Sequence, residues 1–538
     1  MTHKFKMEEY ENKIGAADPL RLSTDLARQT TVNTDVAALR AAGYDQELDR
    51  TFSLPAMGCL CLCLMATWEA LSTVVSAALV SGGPPCLFYN YVLSFLCTLA
   101  ITCSLAEIAS IYPTAGGQYY WVAALSPPSG RRFMSYFTGW TSVGAQMVFA
   151  ASAAFAAGLQ TQSLIILNDE SYIPERWQGM LFYWAIVIYS GVLNIWGPKS
   201  LPQMNIVAGV IHVAGFLAIL IVLIALAPKN SASFVFTEFS NNSGWESSGA
   251  SWLVGLLSSV YPFLGYDAAC HLSEEIPHAA RNVPIAMVGS VAVNGILGLA
   301  YCIVLLYSIS SLDDILSTPT GFPFMQIYQT VTQSQAGTTI MSLLIIIIAA
   351  TANVACVASA SRTAWAFARD KALPYHVFFS EVSKKHQVPG RCVALVTFVQ
   401  ILLGFIYLGN TTAFNAILSM AIIGLYLSYT LPIIYMLFWG RKKTHSTHWG
   451  PFKLGKPLGV ILNLISIIWM GLVMVVSTFP SMMPLTPQNM NYSSVVMAAW
   501  LLFGFVYYHL YGKKKYDVPV VHVSVVTSLS IATIPINA

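Results

Sequence analysis

The chain has 538 residues, of which 56% are hydrophobic and only 9% are charged. Soluble domains carry about 25% charged residues, so this composition excludes an ordinary soluble protein and predicts an integral protein of the lipid bilayer. The net charge of +3 is too small to indicate nucleic-acid binding.

Residues 1–52 precede the first apolar run and are polar, with seven Lys or Arg and nine Asp or Glu. The segment lacks the apolar stretch of a signal peptide, and its composition is typical of a disordered tail. We therefore expect a cytosolic N-terminal tail whose last part, 41–50, forms a short helix that leads into the membrane.

Apolar runs of about 20 residues, the length that crosses a bilayer as a helix, follow the tail. They predict an all-α, polytopic membrane protein with 12 transmembrane helices. A short amphipathic helix is expected over 322–333. The spans are placed at 53–80, 87–112, 133–166, 178–197, 203–227, 250–273, 284–309, 336–366, 391–409, 412–439, 457–479 and 493–511.

These spans divide into a first group of five helices over 53–227, a second group of five over 250–439 and two further helices over 457–511. Residues 512–538 form a C-terminal tail. With the N-terminus in the cytosol, 25 of the 27 Lys and Arg residues fall on the cytosolic side. Positive charge collects on the cytosolic side of membrane proteins, so both termini are predicted to be cytosolic. Candidate glycosylation sequons lie on the opposite side, at Asn241, Asn410 and Asn491.

The sixth span is interrupted near its centre by Pro262 and Gly265, and Asp267 follows at once. Proline has no N–H to give to a helix, and glycine is a poor helix former. A broken helix frees backbone groups that are tolerated only against protein or a water-filled cavity. A carboxylate beside such a break predicts a substrate or ion site, the alternative being a proline kink with Asp267 turned into the bundle.

The first span also carries an acid near its centre, Glu69. Because five is an odd number, the second group of five helices would run opposite to the first, as an inverted repeat requires, and both acids would lie at its axis. Two carboxylates favour a cationic group on the ligand, with cation–π attraction from Trp68 and Tyr266. The alternative is that Glu69 is neutral or bonds freed backbone N–H groups. The expected substrate site consists of Thr67, Trp68, Glu69, Phe263, Gly265, Tyr266 and Asp267.

Two further titratable residues are candidates for gating or proton coupling. Glu107 lies about one turn inside the cytosolic end of the second span, where it either gates the site or bonds loop N–H groups as a plain interfacial carboxylate. His212 lies in an otherwise apolar span; it either exchanges protons near neutral pH or is a satisfied core histidine. No metal-ligand spacing, nucleotide-binding loop or nucleophile–base motif occurs, so we expect no cofactor, no metal and no enzymatic activity.

Seven motifs follow one another along the chain: GYDQEL at 43–48, SGGP at 81–84, AEIASIYPTAGGQY at 106–119, LGYDA at 264–268, HLSEE at 271–275, RNVP at 281–284 and AFARD at 366–370 with LP at 373–374. As an ordered set they resemble the amino acid–polyamine–organocation superfamily, and more closely its fungal amino acid/choline transporter family, which includes GABA and choline permeases.

The resemblance implies a LeuT-like fold with ten core spans in an inverted 5+5 repeat and two peripheral helices. It implies a substrate site where the first and sixth spans unwind, and proton-coupled uptake. Many superfamily members carry Gly-x-Gly at the position of residues 66–68, where it holds the substrate carboxylate. This chain has Ala66, Thr67 and Trp68 there, and Glu69 beside them favours an amine or quaternary ammonium ligand.

The sequence thus predicts a secondary active transporter of a small amine-bearing metabolite, such as an amino acid, GABA or choline, that works by alternating access. Proton symport is expected, with sodium as the alternative ion, and the plasma membrane is favoured over the vacuolar membrane. A nutrient sensor on a transporter scaffold, an exporter of a specialised metabolite and a channel are the alternatives. The oligomeric state stays open.

Overall fold

The computed structural model describes residues 35–409, 413–443, 449–487 and 489–519. These residues form helices and no strand, which confirms the predicted all-α class. The part described contains eleven helices that are long and apolar enough to cross a membrane. They are Leu54–Ile111, Arg131–Asn168, Arg176–Trp196, Pro198–Leu226, Ser248–His271, Ala279–Tyr307, Gln335–Arg369, Gly390–Gly409, Phe414–Gly440, Lys456–Val476 and Ser493–Lys515.

Several of these segments are divided into shorter helices. In chain order the main ones are α1 (Leu54–Met65), α2 (Thr67–Ile111), α3 (Gln118–Leu125), α4 (Arg131–Asn168), α5 (Arg176–Trp196), α6 (Leu201–Leu226), α7 (Ser248–Gly255), α8 (Leu257–Val260), α9 (Ala268–His271), α10 (Ala279–Tyr307), α11 (Pro323–Thr332), α12 (Gln335–Arg369), α13 (Gly390–Gly409), α14 (Ala413–Tyr435), α15 (Lys456–Val476) and α16 (Ser493–Tyr507). Short helical turns lie at Pro198–Ser200, Ala232–Phe236, Tyr261–Phe263, Ser273–Glu275, Leu312–Leu316, His376–Phe379, Met436–Gly440, Arg441–Lys443, Tyr508–Gly512 and Lys513–Lys515.

The first apolar segment, 54–111, doubles back on itself. Just before it, the Phe52 amide donates to the carbonyl of Glu275 (3.1 Å), and near its end the Ser110 hydroxyl donates to the carbonyl of Ala280 (2.8 Å). Both ends therefore lie against 275–280, and the chain reverses near Gly83, whose backbone is not helical (φ 71°, ψ −165°). The expected count of twelve divides this segment into two spans, and that count stays a prediction.

The helices separate into inner and outer sets. In the apolar window of α4, 89% of the residues are buried inside the protein, whereas in the last span only 22% are. Helix α4 packs against α12, α14 and α5, and α10 packs against α1 and α2. The outer helices expose large apolar side chains such as Ile468 (71% exposed), as expected of a surface in contact with lipid.

The expected helix over 322–333 is confirmed as α11. The expected helix over 41–50 is wrong, because the helical residues are 35–41 and the chain then passes through Gly43 in a left-handed conformation (φ 92°). The side chain of Gln46 bonds the backbone of Glu274 instead of lying on a helix (2.8 Å). The sequon at Asn410, the first 34 residues and most of the C-terminal tail lie outside the described residues.

Candidate functional site

Both predicted helix breaks are present, and a hydrogen bond joins them. Helix α1 ends at Met65, Ala66 takes a left-handed conformation (φ 43°, ψ 51°), and α2 begins at Thr67. That conformation costs a non-glycine residue about 1–2 kcal/mol, so packing must hold it in place. The Thr67 hydroxyl donates to the carbonyl of Pro262 in the second break (2.8 Å).

The second break extends from the end of α8 to the start of α9. A 3₁₀ turn at Tyr261–Phe263 is followed by Gly265 with φ +94°. A Cβ at this glycine would lie 2.2 Å from Leu64 Cδ2 and 2.7 Å from Phe149 Cε1. Glycine is therefore required here both by the backbone conformation and by the close approach of α1 and α4.

Asp267 follows this break, and other side chains hydrogen-bond both oxygens of its carboxylate. Oδ1 accepts a hydrogen bond from the Tyr429 hydroxyl (2.7 Å). Oδ2 accepts from the side-chain amides of Gln118 (2.7 Å) and Gln146 (3.0 Å) and contacts Nε2 of His271 (3.1 Å). Asp267 has no exposed surface. Both of its oxygens thus have protein partners.

Of the two acids beside the breaks, Glu69 is the one with a carboxylate oxygen that no described residue bonds. It lies in the first turn of α2, where the helix dipole favours negative charge. Its Oε1 lies 2.8 Å from Nδ1 of His212 on α6, and both side chains are buried. Glu69 Oε2 and His212 Nε2 have no hydrogen-bond partner among the described residues. The structure therefore brings together two residues to which the sequence assigned separate roles.

Two adjoining cavities lead to Glu69. The larger, which we call the vestibule, has a volume of about 440 Å³ and is lined by α2, α4, and the 320–322 and 479–491 loops. The smaller, which we call the floor cavity, has a volume of about 30 Å³ and is lined by Glu69 and Phe149 among others. Thr73 and Tyr261 line both. None of the described residues that line the vestibule is charged. Glu69 lines the floor cavity at the base of the vestibule, and it is the charged residue among the described lining of that cavity.

The remaining predicted site residues pack into the protein around the breaks. Trp68 is fully buried with its ring 5.4 Å from that of Tyr301, and its Nε1 has no partner in the described ranges. Phe263 stacks on Phe95 (5.8 Å). Tyr266 is fully buried, and no described residue hydrogen-bonds its hydroxyl. None of these three lines the vestibule or the floor cavity.

Glu107 lies apart from both breaks. Its Oε2 accepts from Nη2 of Arg441 (2.6 Å) and its Oε1 from the backbone N–H of Leu454 (2.9 Å). Leu454 belongs to the loop before α15, so the carboxylate does bond a loop N–H group, as one of the two sequence alternatives stated. A gating role for Glu107 stays a prediction.

The end of the bundle opposite the vestibule is closed, and we call it the closed face. It is formed by residues 44–52, 112–119, 274–281 and 369–375. Both carboxylate oxygens of Glu274 accept from the Arg369 guanidinium (3.0 and 3.1 Å). Beside this pair, Nε of the buried Arg362 donates to Glu275 (2.8 Å). These ion pairs join the end of α12 to the segment after the second break.

Asp370 is the centre of a second group at the closed face. Its carboxylate accepts from the hydroxyls of Tyr44 (2.9 Å) and Tyr119 (2.8 Å). Burial raises the pKa of Asp370 to about 6, against the opposing effects of the Arg369 charge and the two hydroxyl donors. The N-terminal segment is thus bonded directly into the closed face.

The sequence does not indicate that Gln118, Gln146, Tyr429 and His271 are partners of Asp267. The available signal is weak, because Gln146 is one of three glutamines in its span, together with Gln160 and Gln162, and nothing local distinguishes it. Two of the sequon residues can also be placed. Asn241 Nδ2 donates to the carbonyl of Trp245 (2.8 Å), and Asn491 Nδ2 donates to that of Ser477 (2.7 Å). Glycosylation stays a prediction.

The sequence profile described as amino acid permease matches residues 53–501. A choline transporter of Saccharomyces cerevisiae is 32% identical over 478 residues, covering 88% of this chain and 84% of that protein. An uncharacterized amino-acid permease of Schizosaccharomyces pombe is 31% identical, and the match covers 91% of this chain and 90% of that protein. The amino-acid permease BAT1 homolog of Oryza sativa is 30% identical, and the match covers 87% of this chain and 94% of that protein.

Proposed function

The chain belongs to the amino acid permease family and is a non-enzymatic membrane transporter of amino acids or amines; we propose that it carries a small amine-bearing metabolite by proton symport with alternating access. The candidate substrates are an amino acid, GABA, choline or a related amine. We place the substrate's ammonium group at Glu69.

The observation that carries this proposal is the free Oε2 of Glu69 at the base of an uncharged vestibule. A single hydrogen on Nδ1 of His212 is enough to bond Oε1, and in that tautomer the pair carries the negative charge of the carboxylate. A negative charge with an unused acceptor in a low-dielectric site attracts a cation strongly. Phe149 and Tyr261, which also line the floor cavity, can add cation–π attraction.

The sizes of the cavities indicate how a substrate would bind. The floor cavity, about 30 Å³, has room for little more than a water molecule. The body of the substrate would therefore occupy the lower vestibule, with its ammonium group directed toward Glu69. The residues predicted around the breaks, Thr67 and Gly265 among them, would then hold the backbone that shapes the site and would not contact the substrate in this conformation.

The asymmetry between the two ends of the bundle supports alternating access. The vestibule is open, whereas Arg369 with Glu274 and Arg362 with Glu275 close the other end. Under the predicted topology, the closed face lies on the cytosolic side and the vestibule opens to the outside. Release of the substrate inward would require these ion pairs to separate. We favour the plasma membrane as the location.

Uptake of labelled choline and labelled GABA into proteoliposomes that contain the purified protein tests the proposal. We expect accumulation of at least one of them above its equilibrium level when the pH gradient is directed inward, and collapse of the accumulation with a protonophore. Failure of both substrates, and of a wider panel of amines and amino acids, to enter vesicles with folded protein would overturn it.

A further inference from the structure

We propose that Asp267 and His271, which we call the buried pair, form the proton-binding site of the transporter, separate from the substrate's place at Glu69. This inference rests on the proposed function, because it names where the coupled proton is held. The two residues lie 3.1 Å apart through Oδ2 and Nε2, and both are fully buried.

The hydrogen bonds around His271 require an additional proton. Its Nδ1 lies 3.2 Å from the carbonyl oxygen of Ala115, which can only accept, so Nδ1 carries a hydrogen. Its Nε2 faces a carboxylate oxygen of Asp267, so one further proton must lie on Nε2 or on that oxygen. If the second proton leaves, either two lone pairs face each other or the bond to Ala115 is lost. The described conformation is therefore the proton-loaded one.

The pair at Glu69 differs in this respect. Within the part of the chain that the structure describes, His212 bonds through Nδ1 and its Nε2 has no partner, so a neutral histidine completes that bond without an additional proton. Conversely, Asp267 has no free oxygen for a substrate, whereas Glu69 has one. The two acid–histidine pairs are thus suited to different ligands.

Apart from the shared proton, the groups that face the buried pair are uncharged near neutral pH. The side chains of Gln118 and Gln146 do not titrate, and the thiol and phenol groups are neutral near pH 7. The charged side chains at the closed face are paired with each other. The thiols and phenols around Asp267 are Cys61 on α1, Cys270 on α9, Cys356 on α12, Tyr266 beside Asp267 and Tyr429 on α14.

The buried pair is connected to the closed face through a single residue. The carbonyl of Ala115 accepts from His271, while the amide of Ala115 donates to Oε1 of Glu274 (3.2 Å), the partner of Arg369. Gly117 (φ +53°), two residues after Ala115, lies so close to the imidazole of His271 that a Cβ there would be 2.9 Å from its Cε1. Loss of the proton would weaken the contact to Ala115 and, with it, the support for the closed face.

This connection explains how a proton could be retained until transport occurs. Because the buried pair has no exposed surface, the proton can exchange with water only when the surrounding helices move. While it is bound, it stabilises closure. The proton enters from water on the vestibule side, is shared between Asp267 and His271, and leaves to water on the other side after the closed face opens.

The test compares two assays on the full chain in proteoliposomes: exchange of labelled substrate across the membrane without a gradient, and accumulation driven by a pH gradient. For Asp267→Asn and His271→Gln we expect exchange within about threefold of wild type and at least a tenfold loss of driven accumulation. The substrate-dependent proton influx, followed with a pH-sensitive dye, should fall in parallel. His509→Gln, at an exposed histidine near the end of the last span, is the matched control and should change neither assay.

The outcomes separate the inference from the proposed function. If wild type shows no exchange of any amine or amino acid, the proposed function fails and the inference fails with it. If wild type exchanges substrate and both variants still accumulate it under a gradient, the inference alone is overturned. Driven accumulation that survives in Asp267→Asn but is lost in His212→Asn would assign the proton to the other pair and would also overturn it.

Discussion

The hydroxyl of Thr67 and the carbonyl of Pro262, 195 positions apart in the chain, form a buried hydrogen bond of 2.8 Å. Each residue belongs to one of the two helix breaks. Because the helix does not continue beyond Phe263, the carbonyl of Pro262 would otherwise have no partner in an environment without water. The bond therefore both satisfies the second break and fixes its position against the first.

Replacement of Thr67 by Val should reduce the free energy of unfolding by about 1–3 kcal/mol, because a buried acceptor is left without its donor while the shape is kept. Thermal unfolding of the purified protein in detergent measures this. Thr102→Val is the matched control, since the Thr102 hydroxyl bonds only the carbonyl of Thr98 in its own helix (2.8 Å). Equal effects of the two substitutions would contradict a special role for the Thr67 bond.

The sequence allowed prediction of both breaks and of the all-α fold because those signals are local. Apolar run length indicates a span, and Pro262 with Gly265 indicates where a helix cannot continue. The break at Ala66 has no proline or glycine of its own. It was expected only from Glu69, from the comparison with the sixth span and from the family resemblance.

The partners of the two acids could not be predicted in the same way. Gln118 and Tyr429, which bond Asp267, are 149 and 162 positions away from it in the sequence. Which carboxylate keeps a free oxygen depends on such long-range pairings, and no local pattern encodes them. For this reason the sequence grouped Glu69 and Asp267 in one pocket, whereas in the structure only Glu69 faces the floor cavity described above.

Replacement of Gly265 by Ala should destabilise the protein by roughly 2 kcal/mol or more. The new methyl group would overlap Leu64 and Phe149, and the backbone would be held at φ +94°, which alanine rarely adopts. We expect a lower unfolding temperature and reduced transport. Gly471→Ala is the control, because this helical glycine has no atom within 4 Å of the new Cβ; it should be neutral or stabilising by up to about 1 kcal/mol. A Gly265→Ala protein as stable as wild type would contradict the close packing of the two breaks.

Replacement of Glu69 by Gln should weaken binding of a cationic substrate at least tenfold, which corresponds to about 1.4 kcal/mol or more. The amide keeps the size of the side chain and removes its charge, so folding should be little affected. The measurement is the concentration dependence of uptake, with Glu170→Gln, an exposed acid at the vestibule end, as the control. Unchanged affinity in Glu69→Gln would remove this residue from the substrate site.

The closed face should become more stable as the pH falls, because of Asp370. Burial raises its pKa to about 6 in the folded protein, whereas an unfolded aspartate titrates near 4. Between these values the folded state binds a proton that the unfolded state does not, so this contribution is fully present below about pH 4 and is lost as the pH rises through about 6. The free energy of unfolding that this protonation contributes below about pH 4 is on the order of 3 kcal/mol.

Asp370→Asn resembles the protonated side chain at every pH and isolates this contribution. At pH 7 the variant should be more stable than wild type, and the gap should close as the pH approaches 4, as measured by unfolding temperature in detergent. Asp313→Asn, at an exposed position, should show no such change in the gap. A constant difference between wild type and Asp370→Asn from pH 4 to 7 would mean that the carboxyl group titrates normally, and that the hydroxyls of Tyr44 and Tyr119 offset its burial.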